Sequence, residues 1–463
     1  MAKSPSRPLV IYDGDCHFCG LWIRRWQQIT GEAVDYLPAQ DPRIGADFSE
    51  IPRERFDTAV QLVDVDGAVY AGAEAVFRAL AQNRYWRWPW EAYQSFPVLG
   101  AVTEGAYRLV AEHRPMFSMF TRWFWGRHVE VPSYFLVRWV FLRALALVYL
   151  VAFVSVWTQA SGLMGHNGIV PADHYMALVK QTCDTHGIGL ERFYYVPTLC
   201  WISGSDTSLH FQCAAGVGLS VLLLAGVAPA LCLGLMWLLY LSLITVGGIF
   251  YGFQWDNLLL EAGLLAIFLA PLQPLPRPAR EAPPSRIFVW MIRLLLFKLM
   301  FSSGWVKLSS GDPNWRNLTA LTFHYQTQPL PPWTAWYANE LPLWFQKMSC
   351  AVLFGIELGA PCLIFLPRRV RFLGAALLAG LQVLILVTGN YTFFNWLTLA
   401  FCLVLLDDFL LARIIPWKLR PVFPPDVKLP GGSVGRRWPF PLLAVVAAVV
   451  LMASSFWLAA TLG

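Results

Sequence analysis

Cys16 and Cys19 stand three residues apart in Asp13-Gly14-Asp15-Cys16-His17-Phe18-Cys19, a spacing that suits thiol–disulfide exchange. A cysteine at a helix N-terminus faces unpaired N–H groups and the positive end of the helix dipole, which favour the thiolate. A second thiol one turn on can resolve a mixed disulfide. Cys16 is therefore read as the nucleophile and Cys19 as the resolving thiol. One rival is half of a zinc site, but zinc takes four ligands and the surrounding segment offers only scattered His17, His113 and His128. The other rival is a pair that no longer cycles. A second set of residues is conspicuous for a different reason: Asp256, Glu261, Arg293, Lys298, Lys307 and Glu357 are ionisable side chains inside long apolar runs. In lipid each is costly unless it is paired or faces a polar cavity.

The elements that must hold the cysteines follow from pattern. Leu9–Tyr12 is a short apolar strand closed by the Asp13-Gly14 turn. Cys19 to about Ile29 has helical spacing, with Leu21, Trp22, Trp26 and Ile29 apolar and Gly31 as a stop. Val34–Leu37 and Thr58–Val65 read as strands, and Asp66-Gly67 as a hairpin turn into Ala68–Tyr70. A helix follows near Ala73–Ala81. Strand, CxxC, helix, strand, hairpin, helix is the order of an α/β thioredoxin-like domain, placed here at residues 1–130. Beyond it come a Trp-rich stretch, Tyr85–Trp90, and an amphipathic segment around Met116–Trp125.

Residues 131–463 read as an all-α polytopic membrane domain. Hydrophobic residues make up 57% of the chain and charged residues 14%, against about 45–50% and 25% in soluble proteins. The 22 Trp suit a protein with two water–lipid interfaces. About nine transmembrane helices are expected, near 135–157, 211–228, 230–250, 255–272, 287–308, 349–366, 372–389, 393–411 and 440–462. The net charge of +6 lies mostly in short loops, which argues for membrane topology and against nucleic acid. The nine Cys are otherwise scattered, so no disulfide scaffold is expected.

With no signal peptide in the sequence, the redox domain is expected in the cytosol. Loops 273–286, 367–371 and 412–439 then fall inside and carry twelve Lys/Arg, whereas the longer outer loops 159–210 and 309–348 carry four. That asymmetry places the N-terminus inside and the C-terminus outside. On this placement Lys307 and Asp256 sit within about 3 Å of the outer boundary, Glu261 and Glu357 about 9–12 Å deep, and Lys298 about 15 Å deep. A lysine stem spans such differences. The carboxylates and lysines are thus expected in the outer half of the bilayer, either as structural ion pairs or as an outward-facing polar site.

Several segments resemble known families. Tyr12–Cys19, with Trp22, Arg24 and Trp26, resembles the DCC family of thiol-disulfide oxidoreductases, and Gly72-Ala73-Glu74-Ala75 is similar to that family's second motif. Tyr251-Gly252-Phe253-Gln254-Trp255-Asp256-Asn257-Leu258-Leu259-Leu260-Glu261 resembles a signature of the lipase maturation factor family. So do Gly304–Leu308, Ser310–Leu318, His324–Pro331, Gly165–Pro171 and Gly389–Asn395. Val306-Lys307-Leu308 with Trp315 is more faintly similar to vitamin K-dependent γ-carboxylases, which would make Lys307 a base. Members of the lipase maturation factor family often carry a soluble domain beyond the last span, so any role of that domain is expected to lie outside these residues.

The resemblances imply a membrane protein that assists maturation of exported clients such as lipases. Its cytosolic CxxC domain is expected to act as a thiol-disulfide oxidoreductase or a redox sensor, with a thiol redox partner in the cytosol. Asp256, Glu261, Lys298, Lys307, Glu357 and His324 make up the candidate membrane site. No cofactor beyond a redox-active disulfide is expected, and no metal. The rivals are a membrane enzyme acting on a lipid- or quinone-like substrate and a transporter. The expected location is the bacterial inner membrane, or the endoplasmic reticulum membrane in a eukaryote.

Overall fold

The computed structural model describes residues 4–277, 281–421 and 437–462. Arg280, Lys428 and Arg436, which contribute to the loop-charge asymmetry, lie outside the described residues. The chain divides into two compact units, residues 1–132 with 367–369 and residues 133–366 with 370–463.

The first unit is built on a four-stranded sheet in the order β2-β1-β3-β4. These strands are β1 Leu9–Tyr12, β2 Asp35–Pro38, β3 Gln61–Val63 and β4 Val69–Ala71. β1 runs parallel to β2 and antiparallel to β3, and β3 pairs antiparallel with β4. Leu9, Val10 and Ile11 are all buried because the sheet is covered on both faces. One face packs Ile44, Phe48, Ile51 and Phe56, and the other packs Ile23, Val34, Ala75 and Ala79. Helix α1, His17–Thr30, joins β1 to β2 and stops at Gly31, whose φ of 59° suits a residue without a Cβ.

Two short helices between β2 and β3, α2 Pro42–Asp47 and α3 Arg53–Thr58, take part of the strand expected at Thr58–Val65. Thr58 ends a helix instead, with its hydroxyl donated to the Arg55 carbonyl at 3.0 Å, and the strand shortens to Gln61–Val63. Helix α4, Gly72–Ala81, follows β4, and then come α5 Arg87–Ser95, α6 Pro97–Glu112 and α7 Arg114–Phe124.

The second unit is helical. Among the described residues seven helices are long and apolar enough to cross a membrane. They are 135–163, 206–225, 229–250, 286–309, 343–365, 368–388 and 440–461. In chain order the unit begins with α8 Phe135–Leu163, then the loop helices α9 Ala172–Thr185 and α10 Arg192–Tyr195, then α11 Asp206–Ala225 and α12 Pro229–Gly247.

The expected count of nine is not established, because two of the expected spans are shorter helices. At 255–272 the helix is α13, Gln254–Leu269, which ends ahead of Pro271 after 16 residues. At 393–411 a helix Phe394–Leu403 ends after ten residues, and a separate helix starts at Asp408. Sixteen residues reach about 24 Å, short of a hydrocarbon core of about 30 Å. An apolar run does not distinguish a full span from a shorter helix packed among its neighbours. Leu258, Leu259, Ala262, Leu265, Ala266 and Leu269 of α13 are all buried. Close packing elsewhere rests on small residues, with Gly216 and Gly263 leaving room for Phe153 and Tyr149 of α8.

The remaining helices are α14 Arg286–Ser309, the loop helices α15 Pro313–Arg316, α16 Ala320–Thr327 and α17 Trp333–Asn339, then α18 Leu343–Phe354. α18 continues through a π turn, Gly355–Gly359. After it come α19 Arg368–Thr388, α20 Phe394–Leu403, α21 Asp408–Ile414 and α22 Phe440–Leu462.

Candidate functional sites

Cys16 is the N-cap of α1, and its Sγ accepts the Cys19 N–H at 3.2 Å. The two cysteines are joined in a disulfide with Cα atoms 5.3 Å apart, and both are half-buried. β1 delivers the chain to this point, and a side-chain network fixes the loop between. Asp13 Oδ1 accepts the Asp15 N–H at 3.0 Å. Gln40 accepts the Gly14 N–H at 3.0 Å through its carbonyl oxygen and donates its amide to Asp15 Oδ2 at 3.1 Å. Arg114 pairs with Asp13 Oδ2 at 3.3 Å and donates to the Thr58 carbonyl at 3.1 Å.

Gln40 and Arg114 are 24 and 98 residues from Cys16, and nothing in the local sequence marks them as its supports. The Gly72-Ala73-Glu74-Ala75 motif has a similar hidden partner. Glu104 of α6 accepts the N–H groups of Ala73 at 3.3 Å and Glu74 at 2.9 Å, and so caps α4. A Cβ on Gly72 would stand 2.7 Å from Glu104 Oε2, and Gly72 has a φ of +68°. Both facts require glycine there.

In the membrane unit the expected polar residues fall into three groups. Lys298 Nζ donates to both carboxylate oxygens of Glu261, one at 2.7 Å, and lies 5.5 Å from the Trp457 ring. Lys307 Nζ donates to Glu357 Oε1 and Oε2, both at 2.7 Å, and lies 5.6 Å from the Trp315 ring. Asp256 stands apart from both lysines, buried, with Oδ1 accepting the Tyr240 hydroxyl at 2.7 Å. Among the described residues no hydrogen bond or ion pair joins these groups.

His324 belongs with the second group. Its Nε2 lies 3.1 Å from the Tyr391 hydroxyl, with the rings stacked 6.2 Å apart. Burial first, and then the nearby Lys307 charge, push its pKa below the usual histidine value. Glu357 sits on the π turn, an arrangement often found where a side chain must be aimed. Gly304 lets that turn approach α14: a Cβ there would stand 3.0 Å from the Glu357 Cβ and 2.8 Å from Leu358. The glycine of the Gly304-Trp305-Val306-Lys307 motif thus has a packing reason.

Two further clusters escape the sequence reading. Arg138 and Glu281 form a buried ion pair, and Asp408 caps α8 by accepting the N–H groups of Phe135 at 2.7 Å and Val137 at 2.9 Å. At the start of α9, His166, Asp173 and His174 present ligand atoms within 4.8 Å of one another and could hold a metal ion. His166 Nδ1 already lies 2.6 Å from Asp173 Oδ2, and this bond raises the histidine pKa. His166 stands in the Gly165–Pro171 segment, but its partners Asp173 and His174 lie beyond it.

The sequences of these segments recur in known proteins. Residues 136–413 match the family model of the lipase maturation factor transmembrane domain, about 60% of the chain. This chain belongs to the lipase maturation factor family. Residues 10–120 match the model of DCC1-like thiol-disulfide oxidoreductases.

Among curated relatives, chicken (Gallus gallus) lipase maturation factor 2 is 44% identical over 281 residues, 58% of this chain and 38% of the relative. Human lipase maturation factor 2 is 43% identical over 291 residues, 59% and 40% respectively. Mouse lipase maturation factor 1 is 37% identical over 292 residues, 62% and 50%. The matches thus cover half or less of these lipase maturation factors. No solved structure matches the chain.

Proposed function

We propose that this lipase maturation factor relative assists the folding of exported proteins such as lipases. The observation that carries this reading is the 44% identity along the membrane unit, which contains Lys307, Glu357 and His324. In our reading these three residues, with Trp315 and Tyr391, make the working part of the membrane site, and Glu261–Lys298 and Asp256–Tyr240 hold helices together. Support comes from the arrangement itself. Lys307, on the last turn of α14, leads directly into the loop helices 313–339, where a client would bind.

The first unit we read as a thioredoxin-like domain that exchanges electrons with a cytosolic thiol partner. Its sheet order and the disulfide at the start of α1 support this. In the reduced state Cys16 thiolate attacks a partner disulfide, forming a mixed disulfide and releasing one partner thiolate. Cys19 thiolate then attacks Cys16 Sγ and releases the second. Two electrons pass to the partner, and the Cys16–Cys19 disulfide is left. The DCC1-like match supports this assignment.

A second reading keeps Lys307 as a base acting on a lipid- or quinone-like substrate. Its supporting observation is the lysine–carboxylate–histidine grouping. The deciding experiment complements a deletion strain with three forms of the chain: unaltered, Cys16→Ser with Cys19→Ser, and Lys307→Met with Glu357→Gln. Secreted lipase activity per unit of lipase antigen is measured, and bound lipid is extracted from each purified protein. Client maturation is rejected if the deletion leaves lipase specific activity unchanged. A stoichiometric copurifying ligand, lost in the Lys307 form, would favour the enzyme.

A further inference from the structure

Two consecutive helices of the first unit are built the wrong way round for water. In α7 the residues Met116, Met119, Phe120 and Trp123 recur at i, i+3, i+4 and i+7, the spacing of a core stripe. All four are exposed, Trp123 at 70%, while Ser118 and Thr121 on the opposite side are buried. α6 repeats the inversion. Val98, Val102 and Leu109 are exposed at 76, 60 and 52%. The polar groups of Glu104 and Tyr107 point inward, to the start of α4 and to the Val60 N–H at 2.9 Å.

A helix in water turns its apolar stripe to the core, so two adjacent helices that do the opposite face something other than water. Arg108 of α6, Arg122 of α7 and Arg127 just beyond α7 are exposed, against one exposed acid on these two helices, Glu112. Trp, Phe and Met on one face with arginines beside it is the composition of an interfacial helix on an anionic bilayer. The chain itself limits where this surface lies. Ten residues separate Phe124 from Phe135, the first residue of span α8, and they reach at most about 35 Å.

We propose that α6 and α7 lie in the surface of the bilayer that this chain crosses. Their apolar faces sit at the boundary of headgroups and acyl chains, and the arginines reach anionic headgroups. This holds whatever the client is, since it needs only the membrane spans. It has a consequence for the cysteines. Trp125, just beyond α7, meets Trp22 of α1 edge-on at 6.1 Å, and Trp22 meets Phe18 between the two cysteines at 6.4 Å. The helix that carries Cys16 and Cys19 therefore rests on the helix that contacts lipid, so the disulfide stands at a set height above the membrane.

The test uses the full chain in nanodiscs, with p-benzoylphenylalanine introduced at Phe120, at Val102 or, as a control, at Asp66 in the hairpin turn. Irradiation should give phospholipid adducts at the first two positions and none at Asp66. The yield should rise when phosphatidylglycerol is mixed into phosphatidylcholine. Adding Met119→Glu and Trp123→Glu should abolish the Phe120 adduct, with an unchanged reduction potential of the Cys16–Cys19 pair as a check on folding. Adducts at Phe120 with protein instead of lipid, or no adduct, would overturn the proposal. A yield independent of phosphatidylglycerol would overturn the role given to the arginines.

Discussion

Replacing Lys307 by Met separates the two roles a membrane ion pair can have. The Glu357 side chain is only 5% exposed and that of Lys307 23%, with the ammonium 2.7 Å from both carboxylate oxygens. Lys307→Met leaves that carboxylate buried without its cation. Breaking a buried pair typically costs about 3–5 kcal/mol, and the partial exposure of Lys307 argues for the lower end, about 3 kcal/mol. That is roughly a hundredfold in the folded-to-unfolded ratio.

Removing both charges, Lys307→Met with Glu357→Gln, removes the stranded charge. Most of that stability should return. Thermal unfolding in detergent should therefore show a lowered midpoint in the single variant and a recovered one in the double. Lipase maturation in the complemented strain should fail in both. If the recovered double variant matures lipase at full rate, Lys307 acts only in packing and the site assignment is refuted. The same experiment on Glu261→Gln with Lys298→Met should restore stability and activity together, because that pair is assigned to packing alone.

Three further outcomes are expected. Thiol titration of residues Cys16 and Cys19, in a full chain whose other cysteines are replaced, should give two thiols after reduction and none after mild oxidation; stoichiometric zinc would end the redox reading. The loop-charge asymmetry requires α13 to complete a crossing despite its length of about 24 Å. In a cysteine-free background, Ser310→Cys should therefore react in intact cells with a membrane-impermeant thiol reagent, and Ser285→Cys should not. Reaction at Ser285 would mean that α13 fails to complete a crossing. His324, whose pKa burial and then Lys307 hold below the ordinary value of about 6.5, favours the neutral form when folded. Its contribution to stability is present above that ordinary value and is lost as pH falls through the lowered one. Following its ring signal by NMR, Lys307→Met should raise the pKa only in part, because burial is the larger cause.

The sequence by itself determined the two-part organisation, the strand–CxxC–helix unit and the identity of most ionisable residues in the membrane. These rest on local rules: cysteine spacing, hydrophobic period and the cost of charge in lipid. It also brought out the segments that place the chain in its family. The length of the helices was less legible. α13 and α20 have the apolar composition of spans but end early, since composition reports burial and not whether lipid or protein does the burying.

Pairing was decided only by the tertiary structure. Lys298 chose Glu261 and Lys307 chose Glu357, and Asp256 took a tyrosine, although depth along the membrane normal allowed one shared site. Depth is a single coordinate read from residue count, whereas a hydrogen bond of 2.7 Å also depends on helix rotation and on neighbours such as Gly304. Gln40, Arg114 and Glu104 were invisible for the same reason. They support Cys16 and α4 from segments that only the fold brings near. The outward-facing stripe of α7 needed both. Its period was legible as amphipathic, but only packing decided that Ser118 and Thr121 turn inward and Trp123 out.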